Sequence, residues 1–436
     1  MADLWYTAAD AARWENYRRF ELLFEGRHEE VFLVRPAEAR RMQRYLTANL
    51  AGIISKTCAD ILFGETPRFH VVDPATQAAL DKLVTASDLR LVGYEASLAA
   101  SFRGDAVLSV RWTPQGARIE EVSAAIFVPD IDPDNVRGLR GATLGWPRML
   151  GDETLLRRDF HKPGQVRRLL HRADPVTLQP EEELPLRALY GDHAPLAEEE
   201  TGVDAIPLIH IPNYRTGSRF WGYSDYLGLE SLFAALNERL SQVSEVLRKH
   251  ASPRLAVPLD FIRPDGTVAL EDLEIIPFDP QTRPRPEYIT WDAHLTAAFT
   301  EIDRLTDLAL LTSETAPSLF GIDKFGVAES GRALKYRLLR TLAKVARKRA
   351  YFTAGLAQAL YLAQCLEVKH GAQFTPELPT IDWPDGLPND ARESADIEAV
   401  LLQNGATSLN GTLHRLHPDW TGEQVTVEER LIGSRK

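Results

Sequence analysis

The chain has 436 residues, 44% hydrophobic and 26% charged, with 62 acidic against 50 basic side chains, a formal charge of −12 and a pI near 5.5. That apolar share builds a globular core and excludes a disordered or collagen-like chain, and two cysteines, Cys58 and Cys365, exclude a disulfide scaffold and a multi-cysteine zinc site. The negative balance argues against a simple nucleic-acid binder, which usually carries a basic surplus.

The N-terminus has no basic region followed by an apolar stretch, and no run approaches the roughly 18 apolar residues of a membrane span. The expectation is a soluble chain made in a reducing compartment. In chain order, residues 8–24 read as a charged helix. A stronger helix is predicted from Glu38 to Phe63, where Met42, Leu46, Leu50, Ile53, Ile54, Cys58, Ile61 and Leu62 recur at three- and four-residue spacing. Gly64-Glu-Thr-Pro67 stops it, Arg68–Val72 reads as a short strand, and helical patterns return over 74–103. Short strands separated by Gly, Pro and Asp turns follow at Ala106–Trp112, Arg118–Val122, Ala125–Pro129, Gly138–Leu144, Leu155–His161 and Val166–His171. They predict a local antiparallel sheet. The acidic stretch Asp174–Glu200, with Glu181-Glu182-Glu183 and Glu198-Glu199-Glu200, reads as solvated loop, and Ile206–Ile211 as one more strand.

The second half changes character. Ser224 is placed to cap a long helix ending near His250, with Leu229, Leu232, Phe233, Leu236, Leu240, Val243 and Leu247 as its apolar stripe. A small strand-and-turn module over 253–290 leads to a helix over 293–314. A loop from Ala316 to Glu329 precedes a third helix, capped by Ser330 and predicted to run to Gln364. A Trp-Pro-Asp-Gly turn at 383–386 and short helices complete the chain.

Motifs for catalysis are incomplete. Gly222-Tyr-Ser-Asp-Tyr226 has the outline of a nucleophile elbow but ends on Tyr where the tight turn needs Gly, so Ser224 reads as a cap. Asp130, Asp132 and Asp134 begin like a calcium loop, yet Asn135 stands at the sharp-turn position and Gly141 at the bidentate position. They read as turn residues, with a metal-dependent hydrolase or nuclease as the alternative function they leave open. No phosphate loop, His-Glu-x-x-His or Cys-x-x-Cys occurs. The expectation is a non-enzyme with no cofactor and no metal.

Charge segregates by helix. From Glu287 to Glu314 the acids Glu287, Asp292, Glu301, Asp303, Asp307 and Glu314 face one base, Arg304. From Arg332 to Arg349 there are only bases, and Arg337, Arg340, Lys344, Arg347 and Lys348 fall on one helical face opposite Leu334, Leu338, Leu342 and Val345. The loop between them carries Leu319, Phe320, Ile322 and Phe325 around Gly321 and Gly326, more apolar than a solvated loop, and so it is expected either to touch a partner or to fold onto its own core.

The order of motifs resembles the portal protein of tailed bacteriophages, the siphovirus type of head-tail connector. The residues that carry the resemblance begin with Ile54-Ser-Lys-Thr-Cys-Ala-Asp-Ile-Leu-Phe-Gly-Glu-Thr-Pro67 and Gly104-Asp-Ala106. Ile206-Pro-Leu-Ile209, Asn213 and Gly222-Tyr-Ser-Asp225 resemble the lead-in to a first stem helix, and Ala251-Ser-Pro-Arg254 its exit. Glu329-Ser-Gly-Arg-Ala-Leu-Lys335 is the most specific, and Trp383-Pro-Asp-Gly-Leu-Pro-Asn-Asp390 with Leu402-Gln-Asn-Gly-Ala-Thr-Ser408 the last. The resemblance implies an α+β portal fold with an α/β wing, a two-helix stem, a small α/β clip, a long helix after a tunnel loop and a short helical crown. Carried onto this chain, 1–223 with 332–388 form the wing, 224–250 and 293–315 the stem, 251–292 the clip, 316–330 the tunnel loop and 389–436 the crown.

It further implies a ring, usually of twelve copies, at a capsid vertex, through which double-stranded DNA is packaged and ejected. The implied partners are the terminase large subunit, head-completion or adaptor proteins, and the major capsid and scaffolding proteins, with no membrane. The implied location is the virion, and the host cytoplasm during assembly. Within such a ring Glu301, Asp303, Asp307 and Glu314 are expected to line the stem. Phe320, Ile322, Lys324 and Phe325 are expected to meet DNA, and Arg337, Arg340, Lys344, Arg347 and Lys348 to face a neighbouring subunit. A monomeric adaptor that binds another protein through the acidic 181–200 stretch is a further alternative.

Overall fold

Periodicity and turn chemistry build a mixed helix-and-sheet chain, seen in a computed structural model that describes residues 5–32, 45–250, 254–256, 287–289, 295–321, 331–384, 386, 391–417, 420 and 422–433. Helix α1 (Ala8–Phe24) opens with a capping box between Thr7 and Asp10, and α2 (His28–Phe32) follows. Helix α3 runs Leu50–Phe63, a correction to the predicted start at Glu38: residues 38–44 lie outside the described residues, and 45–49 are not helical. The reason is a competing set of hydrogen bonds. The Leu46 N–H donates to Ser241 Oγ (2.8 Å) and the Ala48 N–H to Asn237 Oδ1 (2.9 Å), both far along the chain, while Asn49 caps the Gly52 N–H.

Strand β1 (Arg68–His70), α4 (Pro74–Ala86) and α5 (Leu89–Arg103) follow, and Gly104, with φ +95°, ends α5 in the left-handed region. Strands β2 (Asp105–Thr113) and β3 (Gly116–Val122) form a hairpin, with β4 (Phe127–Ile131), β5 (Leu139–Leu150), β6 (Glu153–Lys162) and β7 (Gln165–Ala173) as an antiparallel meander. The acidic stretch departs from expectation. It contributes β8 (Pro180–Leu184), a four-residue helix α6 (Arg187–Tyr190) and β9 (Glu198–Glu200), and both strands pair with β7. Arginines recruit them: Arg172 pairs with Glu182, Arg168 with Glu199 at 2.7 Å and Arg167 with Glu198 at 3.7 Å. Runs of glutamate are poor strand formers alone, and cross-strand cations reverse that preference.

Strand β10 (Leu208–Pro212) returns to β2, giving the sheet order β10-β2-β3. Helix α7 runs Glu230–His250, with a described strand pair after it, β11 (Arg254–Ala256) against β12 (Glu287–Ile289), and then α8 (Leu295–Thr312). The rest of the 251–292 segment lies outside the described residues. Helix α9 spans Gly331–Lys369, 39 residues or about 58 Å. Its predicted cap, Ser330, lies outside the described residues. Strand β13 (Thr380–Asp382) pairs with β1, and α10 (Ala391–Gln403), α11 (Leu409–Leu416) and α12 (Gly422–Gly433) complete the chain. Among the described residues no helix is long and apolar enough to cross a membrane.

The largest core lies between α9 and the β10-β2-β3 sheet. Phe352, Leu356, Leu360, Ala363 and Leu366 of α9 pack with Leu108, Val110, Ile119, Ile209 and Ile211, and α5 joins through Val92, Ala96 and Ala100. A second core joins α1, α3, α5, α7 and α8 through Leu23, Ile54, Phe102, Phe233 and Ala309.

Three titratable groups are buried in the meander, Asp159, His161 and His171. His161 on β6 is 9% exposed, and neither ring nitrogen has a hydrogen-bond partner. Burial, reinforced by the Arg168 and Arg157 guanidiniums, lowers its pKa to about 4. As pH falls, the unfolded chain takes up this proton near its ordinary value of about 6.5, before the folded chain does. The stabilisation is therefore complete above about 6.5 and is lost progressively down to about 4, on the order of 3 kcal/mol in all. Denaturation at pH 7 and at pH 4.5 is expected to show a smaller acid loss for His161→Gln than for the parent; equal losses would remove His161 as the cause.

Candidate functional site

A cluster of buried polar groups lies where α5, the lead-in to α7, the end of α8 and α9 converge. The turn before α7 delivers them. Gly222 donates its N–H to Asp105 Oδ1 (2.8 Å), and Asp105 also accepts from the Tyr17 hydroxyl (2.6 Å) and bonds His210 Nε2 (2.7 Å). Burial and the Asp105 carboxylate raise the Tyr17 phenol well above its usual value, so it remains a donor. Ser224 does not cap α7. Its hydroxyl donates to Phe102 O (2.7 Å) and accepts the Tyr226 N–H (3.0 Å), which ties the turn to the end of α5. It therefore sits as a buried tie and not as a nucleophile.

Asp225 is the centre. Its side chain is 3% exposed. Oδ2 accepts from Lys348 Nζ (2.6 Å) and Ser101 Oγ (2.6 Å), and Oδ1 from Asn213 Nδ2 (3.0 Å), with Lys344 Nζ at 3.3 Å. Lys344 also donates to Ser313 O (2.8 Å), just beyond the C-terminus of α8, where a helix dipole favours a cation. Burial alone would raise the Asp225 pKa; the two lysines and Ser101 outweigh it and hold the carboxyl well below the usual range. Burial works against the Lys344 charge, and Asp225 more than offsets it, so this ammonium titrates above its ordinary value. One turn outward, Glu314, at φ +57°, pairs with Arg340 (2.7 Å) and with Arg347.

This geometry divides the basic stripe predicted for a neighbouring subunit. Lys344 and Lys348 are corrected: they are core groups, 5% and 3% exposed, because Asp225 of the same chain neutralises them. Arg340 and Arg347 keep exposed side chains, at 72% and 50%, and Arg337 is half-buried. Of the acids predicted to line a stem, Glu301 pairs with Arg239 of α7 (2.9 Å), Asp303 is exposed, Asp307 is half-buried and Glu314 belongs to the arginine pair. Of the predicted loop residues, Phe320 ends a short turn of helix (Pro317–Phe320) and is half-buried, while Ile322, Lys324 and Phe325 lie outside the described residues. Leu319 packs against the buried Ala316 and Leu338, as do Leu334 and Leu342 of α9, so the start of this loop folds onto its own chain.

The Asp130 group does not converge on a cation. Asp130 pairs with Arg140 (2.8 Å), and Asp132 accepts the Asp134 N–H (2.9 Å) in a turn. Among the described residues no group of three His, Cys, Asp or Glu is placed to hold a metal. The Asp225 cluster itself had a readable signal. Lys344 and Lys348 share helical spacing with Thr341, Val345 and Phe352, all of which face inward. Two lysines within an inward stripe require a buried anion, and its identity was open until the chain folded.

No protein-family model matches the chain. No curated protein matches it either. Among solved structures it is similar to a chain described as "Neck of empty GTA particle computed with C6 symmetry", with a TM-score of 0.48, 14% sequence identity, and 85% of this chain and 90% of that chain covered.

Proposed function

We propose that this chain is the subunit of a portal-type head-tail connector, a ring around a channel for double-stranded DNA. One observation carries the reading: α7 and α8 form an antiparallel helix pair that brackets the β11-β12 strand pair, and the long helix α9 then returns to the main sheet. Arg239, midway along α7, meets Glu301 of α8, and Phe233 nearer the start of α7 lies in one core with Ala309 near the end of α8, so the two helices run antiparallel. This is the chain order that the motifs imply for stem, clip, tunnel loop and wing.

In this reading the chain forms a ring, usually of twelve copies in the family it resembles, that stands at the capsid vertex of a virion after assembly in the host cytoplasm. It docks the terminase large subunit and head-completion or adaptor proteins, and adjoins the major capsid and scaffolding proteins. Phosphate contacts grip DNA tightly and without sequence preference, so a conduit must limit them. Asp303 on the exposed side of α8 and Asp307 repel the duplex, while Glu301 and Glu314 line the stem as members of ion pairs with Arg239 and with Arg340 and Arg347. Phe320, Ile322, Lys324 and Phe325 touch it lightly. Arg337, Arg340 and Arg347 face a neighbouring subunit, where charge pairs fix geometry more than they add affinity. The protein performs no catalysis of its own.

Negative-stain microscopy of the purified chain tests the reading. Rings with a central hole are expected, and a compact particle without a hole at every concentration would sink it.

A further inference from the structure

Where the segment before α3 meets α7, a chain of hydrogen bonds passes through a buried histidine. His28 of α2 and Asn237 of α7 are fully buried. His28 Nε2 lies 2.9 Å from Leu23 O, Asn237 Nδ2 lies 2.7 Å from His28 Nδ1, and Asn237 Oδ1 accepts the Ala48 N–H (2.9 Å). A parallel link runs from the Leu46 N–H to Ser241 Oγ (2.8 Å), which donates to Asn237 O (2.7 Å).

Both ends of the chain through His28 have fixed roles, because a backbone N–H only donates and a carbonyl only accepts. Ala48 requires the Asn237 oxygen, which turns the Asn237 NH2 group toward His28 and makes Nδ1 an acceptor. Leu23 O requires a proton on Nε2. The network therefore closes only on a neutral ring with its proton on Nε2. A second proton, on Nδ1, would set donor against donor at 2.7 Å. Rotating the Asn237 amide satisfies that proton but sets the NH2 group against the Ala48 N–H instead. Either way one buried pair must part. The flanking rings of Phe32 and Phe233, with centroids 5.9 Å from that of His28, offer no other acceptor.

Among the described residues no carboxylate offsets the added charge. Glu29 on α2 and Glu238 on α7 are exposed, and Arg27 engages Glu25 and Glu30. The Tyr45 phenol is raised by burial and stays neutral. Burial lowers the His28 pKa, outweighing the Leu23 carbonyl and the Asn49 side chain, which favour the proton.

We propose that His28 and Asn237 form an acid-sensitive latch, in which protonation of His28 releases residues 45–49 from α7. The latch belongs to the fold of one subunit and does not depend on ring assembly. With the latch open, the imidazole is hydrated and titrates near its ordinary value of about 6.5; with it closed, it titrates lower, so falling pH favours opening. Hydrogen exchange of the full-length chain tests this, read by mass spectrometry on peptides that contain the Leu46 and Ala48 amides and corrected for intrinsic rate. Protection is expected to fall about fivefold from pH 7 to pH 5. Asn237→Asp presents an acceptor both to the Ala48 N–H and to a protonated Nδ1, so its protection is expected to hold over the same range. His28→Gln has no titrating proton and is expected to show no fall. His161 is intact in both variants, so an acid loss that originates in the meander would persist in them. Equal protection of the parent at the two pH values, or a parent fall that persists in either variant, overturns the proposal.

Discussion

Asp225→Asn is expected to cost the folded chain about 3–5 kcal/mol, because it leaves Lys344 and Lys348 buried without a counter-charge. The amide keeps the shape and part of the hydrogen bonding, so the loss reports charge and not volume. The carboxyl pKa is depressed in the folded state, so its contribution is present above the unfolded value of about 3.9 and is lost only as pH falls through the folded value. The Lys344 pKa is raised, so its contribution is present at neutral pH and is lost only in strong alkali. The penalty of Asp225→Asn should accordingly hold throughout the mild pH range. Replacing all three groups, with Asp225→Leu, Lys344→Met and Lys348→Met together, is expected to recover most of the loss, since a well-packed apolar set often equals a buried ion cluster. Urea denaturation of the three proteins decides it. An Asn variant within about 1 kcal/mol of the parent would show that the lysines find other partners.

Gly222→Ala is expected to cost about 3 kcal/mol, at the upper end of overpacking effects. A Cβ at this position would lie 2.1 Å from Gly104 O and 3.0 Å from Asn213 N, both backbone atoms. Neither yields easily. Gly104 O accepts the Asn213 N–H (2.8 Å), and the Gly104 N–H closes α5 on Ala100 O. Moving Gly222 also disturbs its bond to Asp105 and the turn that presents Asp225. Gly217→Ala provides the contrast. Nothing lies within 4 Å of a Cβ there, and its effect should stay within about 0.5 kcal/mol. Thermal unfolding of the two variants measures the difference, and equal midpoints would refute the close approach as the reason for glycine at 222.

Much of the element order was legible from local pattern. Residues 8–24, 293–314 and the long third helix were predicted within a few residues of the observed Ala8–Phe24, Leu295–Thr312 and Gly331–Lys369, because a 3.6-residue apolar repeat and a cap are local signals. The meander strands β4 to β7 were legible for the same reason, with period-two alternation and turn residues. The misses share one cause. Residues 45–49 continue an apolar repeat, yet Asn237 and Ser241 of α7 take their backbone donors. The glutamate runs at 181–183 and 198–200 have no strand pattern, yet the arginines of β7 pair them into the sheet.

The candidate site divides in the same way. The segregation of charge, with acids around α8 and bases along α9, is a property of composition along the chain, and the sequence alone determines it. The sequence alone also determines that Gly222, Ser224 and Asp225 stand together at the lead-in to a long helix. Which of the bases are surface groups and which are core was decided only by folding. Asp225 and Lys348 are 123 residues apart, and no local rule links them. The energy of a charge depends on whether an opposite charge reaches it in a low-dielectric interior. That is settled by how α5, α7, α8 and α9 pack, so the same five bases became two buried lysines and three outer arginines.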